Sequence, residues 1–520
     1  MTGNSPAEIF ASPQLGEILR QYVANSRWFR AKTRAIAKIE IEDEFAFARA
    51  GAFILVLKIV YEDGDRDWYI LPASVSRKSA ETIARVTLQD QDAALYNALA
   101  DEAFRSSLLH AIACNEKVTG RTATLVASRT AALQEECGAE APESFVSRAE
   151  QSNTSIVYRD RYILKLFRKL EQGINPDVEI GNFLTARGFR NTPAVLGNIE
   201  YQRNGKRHAI GLLQQFVPNQ GDAWKYTLDS LAGFFKRAIE SGQNPPPRLT
   251  DHPLELADTA VPPQIESLIG PYIASARLLA RRTAEMHQAL CDPDGGPDFA
   301  PEPFTTEERE RLYRDLLGQS DIAFELLRRK QAVLTGSTAE AARQLLHIES
   351  RVSERFRAIQ QHEFQTVRIR HHGDYHLGQV LFTGRDFMII DFEGEPARPL
   401  AERRAKAFAL RDVAGMVRSF QYAAFSALFG QVPGVPAEIE PRRQIEAWAA
   451  AWNAYVSAAY LQSYFEAAAG APFIPQTVVE RRLMLDAFLL QKALYEVAYE
   501  LNNRPDWLQI PLQGILGLMR

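Results

Sequence analysis

Residues 372–393 constrain this chain most, because they place two carboxylates and an amide around a predicted β-hairpin. The stretch reads His-Gly-Asp at 372–374, continues to Gln379 and ends, after an apolar run, at Asp391. Residues 379–382 and 387–390 have the composition of strands, and Thr-Gly-Arg-Asp at 383–386 has that of a tight turn. Such a hairpin would bring Gln379 and Asp391 to neighbouring strand ends, where they could share a cation.

This set matches what phosphoryl transfer from ATP to an alcohol requires. Asp374 would align the attacking hydroxyl, and Asp391 would hold Mg²⁺ through hard oxygen ligands, with Gln379 as a second ligand. An isolated Asp after Gly is more often a turn residue or a helix cap, and Gln379 could simply begin a strand. The order Asp, Gln, Asp around one hairpin makes chance a poor explanation. Asp412, further along, precedes an apolar helical stretch and is a plausible N-cap.

A second constellation indicates how the nucleotide would be held. Lys165 alternates with apolar residues in a predicted strand, and Glu179 falls on the helix that follows. Kinase-type small lobes bind ATP with a strand lysine that a helix glutamate holds and that reaches the α- and β-phosphates. The stretch at 151–155 precedes this strand pair, so Ser152 and Thr154 are candidates to contact phosphate, although the stretch lacks a Gly-x-Gly pattern.

Candidates for sugar contacts come from the end of the hairpin and from a late helix. Glu393 and Glu395 alternate with Asp391, so an extended backbone would point all three carboxylates to one side. On residues 491–500 a lysine, a glutamate and two tyrosines recur at helical spacing, which suits stacking on a sugar and bonding to its hydroxyls but also fits an amphipathic interface. The predicted sugar contacts are His376, Glu393, Lys492, Tyr495 and Glu496. Histidines beside such loops more often brace them, and His372 is expected to fix the loop backbone.

The totals exclude several classes of protein. A net charge of −4 gives no electrostatic reason to expect nucleic acid or an anionic membrane as a partner. The longest apolar run, residues 53–57, is too short to span a bilayer, and no basic-then-apolar leader is visible at the N-terminus. The three cysteines are scattered without a C-x-x-C, which argues against a disulfide framework or a zinc site and predicts a reducing, cytoplasmic location.

The chain of 520 residues is long for one core, and its patterning predicts three parts. Residues 1–90 read as a helix over 8–23 followed by strands, a small α/β cap. Residues 91–222 begin with helical spacing over 91–112 and continue as hairpins around a helix at 176–187, the order of a kinase N-lobe. Residues 223–520 form a helical C-lobe, with helical spacing over 271–290, 305–328, 339–360, 410–429, 444–467 and 478–501. The fold class predicted is therefore α+β, a bilobal protein-kinase-like fold.

At this point the chain resembles the bacterial maltokinases, within the aminoglycoside-phosphotransferase-like kinases. The resemblance is carried by residues 372–379 and 391–396, and by stretches at 150–155, 281–287, 299–304, 398–404, 410–416 and 504–508. It implies ATP- and Mg²⁺-dependent phosphorylation of maltose at its anomeric hydroxyl, which in the family feeds α-glucan and glycogen synthesis from trehalose, often with a trehalose synthase as fusion or partner. It places the catalytic Asp on Asp374 and the metal positions on Gln379 and Asp391. Residues 27–34 lack the family's paired glycines, and the chain has extra residues around 240–265 and 430–440.

Two alternatives stay open. Kinases of glucosamine or another amino sugar have very similar loops, and their carboxylates would meet a cationic nitrogen, a role that Glu393 could fill. A nucleotide-binding domain without catalysis, accessory to a trehalose synthase, is the alternative from another class. Because Lys165, Asp374 and Asp391 are all present, the sequence favours an active kinase.

Overall fold

The apolar run at 53–57 is part of a central strand that is buried on both faces. A computed structural model describes residues 1–77, 82–134, 136–147, 153–246, 252–435 and 442–519. In it, Ile54 and Val56 pack into one hydrophobic core while Leu55 and Leu57 pack into another, on the opposite side of the sheet. Successive strand residues point to opposite faces, so a continuous apolar run is what a strand covered on both sides requires.

The chain forms two compact units. The first comprises Met1–Pro218 with Ala397–Arg403, and the second comprises Asn219–Pro396 with the rest of the chain from Arg404. The predicted three-part division at 90 and 222 stays a prediction. Within the described ranges, no helix is both long and apolar enough to cross a membrane.

The first unit contains two sheets with helices around them. Within its described residues, one sheet has the strand order β1-β5-β6-β4-β3-β2 and the other has the order β7-β8-β12-β13-β11-β10-β9. The elements are β1 (Thr2–Gly3), α1 (Pro6–Phe10), α2 (Pro13–Asn25), β2 (Ile36–Phe47), β3 (Ala52–Tyr61), β4 (Arg66–Ser76), β5 (Thr82–Leu88), β6 (Gln91–Asn97), α3 (Glu102–Ala113), β7 (Lys117–Thr119), β8 (Thr124–Arg129), β9 (Ser144–Val146), β10 (Asn153–Tyr158), β11 (Tyr162–Phe167), α4 (Pro176–Ala186), β12 (Val195–Arg203) and β13 (Lys206–Gln215).

We call the sheet of β1–β6 the cap sheet and the sheet of β7–β13 the second sheet. Helix α3 and the cap sheet share a core with one face of the second sheet, its cap-side face. Phe104 and Leu108 of α3 pack with Ile54 of β3 and with Leu164 and Leu166 of β11. The other face of the second sheet carries a smaller cluster, in which Phe167 packs with Val178 of α4, Val195 and Leu212. Residues of β11 therefore alternate between the cap-side face and the α4 face, and Lys165 lies between two cap-side residues.

The second unit is mainly helical. Its elements are α5 (Ala223–Glu240), α6 (Pro253–Ala257), α7 (Pro263–Ile269), α8 (Tyr272–Leu290), α9 (Gly296–Phe299), β14 (Glu302–Pro303), α10 (Thr306–Lys330), α11 (Gly336–His347), α12 (Glu349–Gln361), β15 (Val367–Arg368), β16 (Val380–Phe382), β17 (Phe387–Ile389), α13 (Leu400–Arg404, mostly in the first unit), α14 (Leu410–Phe425), α15 (Arg442–Ala467), α16 (Val478–Asn503) and α17 (Gln509–Leu518). Short 3-10 helices lie at Ala98–Ala100, Gln331–Val333, Leu377–Gln379, Ser426–Phe429 and Pro505–Trp507.

The α+β fold, with a β-rich N-terminal part and a helical C-terminal part, is confirmed, but several element predictions were wrong. Residues 91–97 form strand β6 of the cap sheet, so the helix predicted over 91–112 begins only at Glu102. The helix predicted over 8–23 is two helices, which meet where Pro13 begins α2, and the one predicted over 339–360 is α11 and α12. The cysteine expectation also needs correction, because Cys114 and Cys137 form a disulfide.

We predict that Asp43 holds the cap sheet to the turn before β8. Its fully buried carboxylate accepts hydrogen bonds from the Arg121 backbone at 2.6 Å and from the Thr122 backbone and hydroxyl at 3.0 and 2.9 Å. Asp43→Ala leaves these donors unpaired, so the free energy of unfolding should fall by about 3 kcal/mol, measured by urea denaturation. Glu44→Ala is the matched control, since its carboxylate has no hydrogen-bond partner among the described residues. Equal losses in the two variants would contradict the assignment.

Candidate active site

The loop that carries Asp374 is held by a buried carboxylate from another helix. Asp412 of α14 accepts hydrogen bonds from the backbone N–H of His372 at 2.8 Å and of Gly373 at 3.0 Å, and it lies 3.1 Å from Nε2 of His287. It lies in the first turn of α14, whose N-cap is Ala409, so the N-cap prediction was wrong. Burial alone would raise the pKa of Asp412, but His287 and the neighbouring histidines outweigh it and lower the pKa well below its usual range.

His372 links this loop to the strand that ends at Asp391. Its Nε2 lies 2.9 Å from the Ile390 carbonyl oxygen, and its Nδ1 accepts from the Asp374 backbone N–H at 3.4 Å. Both contacts fit a neutral imidazole with its proton on Nε2. The expectation that His372 fixes the loop backbone agrees with this geometry.

Two glycines allow the loop to pass close to its neighbours. Gly373 has φ +85°, and a Cβ there would lie 3.2 Å from Cα of Gly394. A Cβ on Gly415 of α14 would lie 2.5 Å from the Tyr375 carbonyl oxygen. The ring of Tyr375 is buried, and its hydroxyl lies 2.9 Å from the Thr283 hydroxyl on α8. Helices α8 and α14 thus fix the loop on two sides.

The predicted hairpin is present as β16 and β17, with Val380 paired to Ile389. The Ile390 N–H donates to the Gln379 carbonyl at 3.0 Å, so Gln379 lies across the hairpin from the residue before Asp391. Asp391 has φ +66°, a left-handed conformation that is uncommon for a residue other than glycine. Such strain is often found at functional positions, because the surrounding structure must hold it. The metal roles of Gln379 and Asp391 stay predictions.

A lysine from α16 meets the loop carboxylate. Nζ of Lys492 lies 3.3 Å from Oδ1 of Asp374 and 3.6 Å from a carboxylate oxygen of Glu395. Burial alone would raise the pKa of Asp374, but Lys492 and the nearby histidines outweigh it, so its pKa is lowered. Burial alone would lower the pKa of Lys492, but the two carboxylates outweigh it and raise the pKa. In this structure both Asp374 and Lys492 are therefore charged.

The other residues predicted to bind sugar divide into two groups. His376 lies 3.9 Å from Asp374, and burial lowers its pKa. The ring of Tyr495 lies beside Lys492, 4.9 Å from Nζ to the centroid, and Glu393 is buried. Glu496, by contrast, is buried and its carboxylate accepts from Nε of Arg418 at 2.9 Å. The carboxylate of Glu496 thus forms an internal ion pair, and the sugar contact predicted for it stays a prediction.

In the first unit, Lys165 is held by a residue that the sequence analysis missed. Its Nζ lies 3.1 Å from Oδ2 of Asp177, and both side chains are buried. Glu179 lies two residues further along α4, and residues two apart on a helix do not share a face. The role predicted for Glu179 stays a prediction. Both acids stand in the first turn of α4, so only the phase of the helix distinguishes them.

The two candidates for phosphate contact also have different outcomes. Ser152 lies outside the described residues. Thr154 pairs with Leu166 in the sheet, so its side chain lies on the cap-side face, and its hydroxyl accepts from Nε of Arg168 at 2.9 Å. Lys165 lies on the opposite face of the sheet, and the phosphate contact predicted for Thr154 stays a prediction. Ser155, paired with Lys165, is the buried hydroxyl on the lysine's face.

Comparison with known proteins gives one match near the N-terminus and others that cover most of the chain. Residues 22–101 match the maltokinase N-terminal cap domain. A glucosamine kinase from Streptacidiphilus jiangxiensis is 26% identical over 148 residues, which cover 28% of this chain and 31% of that protein. One from Mycolicibacterium smegmatis is 22% identical over 376 residues, which cover 71% of this chain and 78% of that protein. The solved structure of a glucosamine kinase in complex with glucosamine, ADP and inorganic phosphate has a TM-score of 0.60 at 17% identity, covering 96% of this chain and 99% of that one.

The fold is thus kinase-like, of the type seen in the glucosamine kinases. The match of residues 22–101 to a maltokinase cap and the similarity to glucosamine kinases agree with the resemblance that the motifs of this chain carry.

We predict a pH-dependent stability from His371, which is buried next to the loop. Burial lowers its pKa to about 4, against 6.5 in an unfolded chain. Because the unfolded state then binds the proton more tightly, stability is lost as the pH falls from 6.5 towards 4. Between pH 7 and pH 5 this costs about 2 kcal/mol. Between pH 7 and pH 5, the free energy of unfolding of His371→Asn should fall by about 2 kcal/mol less than that of the parent. Urea denaturation at both pH values measures this. Equal losses would contradict a buried neutral His371.

Proposed function

We propose that this protein is an ATP- and Mg²⁺-dependent sugar kinase that transfers the γ-phosphate to the anomeric hydroxyl of maltose, giving maltose 1-phosphate. The observation that carries the proposal is Asp374, a charged carboxylate on a loop that Asp412 and His372 hold rigidly. A fixed carboxylate can orient the attacking hydroxyl, and alignment contributes most of what a loose phosphoryl-transfer transition state demands.

The other roles follow from the chemistry of each side chain. Lys165, held by Asp177, would contact the phosphates of ATP as a fixed positive charge. The amide oxygen of Gln379 and the carboxylate of Asp391 are hard donors that fit Mg²⁺, so these two residues would hold the ion. When bound, Mg²⁺ would neutralise charge on the phosphate oxygens.

The environment of Lys492 favours a neutral sugar over an amino sugar. Glucosamine carries an ammonium group at neutral pH and needs carboxylates to receive it. Asp374 and Glu395 already face the ammonium of Lys492, at 3.3 and 3.6 Å. A second cation here would be repelled by Lys492, whereas sugar hydroxyls could accept hydrogen bonds from it. The exposed part of the Tyr495 ring offers an apolar surface for a sugar face.

A glucosamine kinase is the second candidate, because a relative that covers 71% of this chain and a solved structure that covers 96% of it carry that name. Glu393 is a buried carboxylate two residues after Asp391, and it could receive an amino group. The non-catalytic alternative would need Asp374 to be dispensable. We further propose a trehalose synthase as the source of maltose and as a partner or fusion. The cytoplasmic setting predicted from the cysteines stays a prediction, and the Cys114–Cys137 disulfide does not support it.

We predict that maltose is the preferred acceptor and that Asp374 is required. ADP release assayed with Mg·ATP should give a kcat/KM for maltose at least tenfold above that for glucosamine. Asp374→Asn should lower kcat at least a thousandfold while ATP still binds, because the neutral amide is a weaker acceptor for the hydroxyl hydrogen bond and cannot take up its proton. Asp321→Asn, on the exposed side of α10, is the control. Strong glucosamine turnover without maltose turnover would reject the substrate, and full activity of Asp374→Asn would reject the catalytic role.

We also predict that Lys492 sets the discrimination between neutral and amino sugars. Lys492→Met removes the cation beside Asp374 and Glu395, so an ammonium group becomes easier to accommodate. In Lys492→Met, the ratio of kcat/KM for maltose to that for glucosamine should fall at least tenfold. Lys492→Arg keeps the charge, so this ratio should stay close to that of the parent. An unchanged ratio in Lys492→Met would show that this lysine does not select the substrate.

A further inference from the structure

A cavity of about 510 Å³ lies in the first unit, away from the face that carries Lys165. It is lined by the start of β4, the segment after β11, and the hairpin of β12 and β13. Tyr201 and Leu170 from its walls belong to the core on the cap-side face of the second sheet. Lys165 points to the opposite face, so this cavity is separate from the predicted nucleotide grip.

The cavity is built on a fixed backbone with aromatic walls. The Leu170 N–H donates to the Trp68 carbonyl at 2.8 Å, which joins the segment after β11 to the edge of β4. The indole N–H of Trp68 donates to the Glu42 carboxylate. The rings of Tyr201 and His208 pack edge to face, with centroids 5.5 Å apart. Trp68 and Tyr201 therefore present rings of defined orientation to whatever enters.

The charges around the cavity do not balance. Lys169 pairs with Asp67 at 2.9 Å, Arg203 pairs with Glu42, and Glu171 pairs with Arg403. Two further cations, Arg66 and Lys206, line the cavity and have no carboxylate partner within the described residues. Two unpaired positive charges match the charge of a phosphomonoester, which is close to −2 at neutral pH.

One residue of the cavity wall also contains a buried polar atom without a hydrogen-bond partner among the described residues. Nδ1 of His208, a lining residue, is buried and makes no hydrogen bond to any of the described residues. A buried polar atom without a partner costs free energy, and a turn of the His208 ring on ligand binding would let this atom form a hydrogen bond. Burial lowers the pKa of His208, and the neutral ring can either donate or accept at this atom.

We propose that this cavity binds a phosphorylated sugar at a site separate from catalysis. Arg66 and Lys206 would meet the phosphate, Trp68 would stack on the apolar face of the sugar ring, and Nδ1 of His208 would bond a hydroxyl. The volume is within the range of small-molecule sites. The site is formed by the cap and the first-unit sheet and uses none of the residues that the proposed kinase reaction uses.

The test measures binding of glucose 6-phosphate to the full chain by isothermal titration calorimetry, in the absence of ATP. The parent should bind it saturably, and Arg66→Glu with Lys206→Glu should weaken the affinity at least tenfold. Arg49→Glu with Arg85→Glu is the matched control, since both residues are exposed, lie in the same unit and give the same change in charge. The control should stay within twofold of the parent. Equal affinity of the parent and the first pair of substitutions would overturn the proposal.

Further binding experiments distinguish a phosphorylated sugar from other phosphates, and the cavity from the catalytic site. Asp374→Asn should bind glucose 6-phosphate as the parent does, and loss of binding there would place the ligand in the catalytic site and overturn the proposal. Trp68→Leu should weaken glucose 6-phosphate more than inorganic phosphate, which supports the stacking contact. Inorganic phosphate or AMP binding as tightly as glucose 6-phosphate would overturn the assignment to a phosphorylated sugar. Because this assay reads no turnover, its failure is distinguishable from failure of the proposed kinase activity.

Discussion

The candidate active site depends on two hydrogen bonds, which the backbone N–H groups of His372 and Gly373 donate to the Asp412 carboxylate. A carboxylate buried with this pair of N–H groups fixes where the next residue, Asp374, can point. The same loop is joined through His372 to the strand that precedes Asp391. One buried anion on α14 thus sets the positions of two side chains with different predicted tasks, and replacing it would affect both.

The position of Lys492 determines the charge distribution in the candidate site. Lys492 lies between the carboxylates of Asp374 and Glu395, which raise its pKa, and Lys492 in turn lowers the pKa of Asp374. The same arrangement makes the site a poor receiver for another cation. Substrate preference is thus proposed to come from a charge that the protein already supplies, while relatives named for an amino sugar share the overall fold.

Local patterns predicted the parts of the site that are close in sequence. The hairpin around residues 383–386 follows from turn residues between two short apolar runs, and the pairing of Val380 with Ile389 bears this out. Asp412 could not be assigned in the same way, because its partners lie about forty residues away and its sequence context is that of a helix start. Asp177 and Glu179 share one helical turn, and the contact of Lys165 with Asp177 becomes visible only from the packing of α4. The short strand at 91–97 was ambiguous because its few apolar residues also fit helical spacing.

The most direct test of the central claim is the position of phosphate on the product. After incubation with maltose and Mg·ATP, ³¹P–¹H correlation NMR should show phosphorus coupled to the anomeric proton of the reducing glucose unit. Phosphorus coupled to any other sugar proton would contradict transfer to the anomeric hydroxyl. No phosphorylated maltose, in a preparation that phosphorylates glucosamine, would contradict the choice of a neutral sugar.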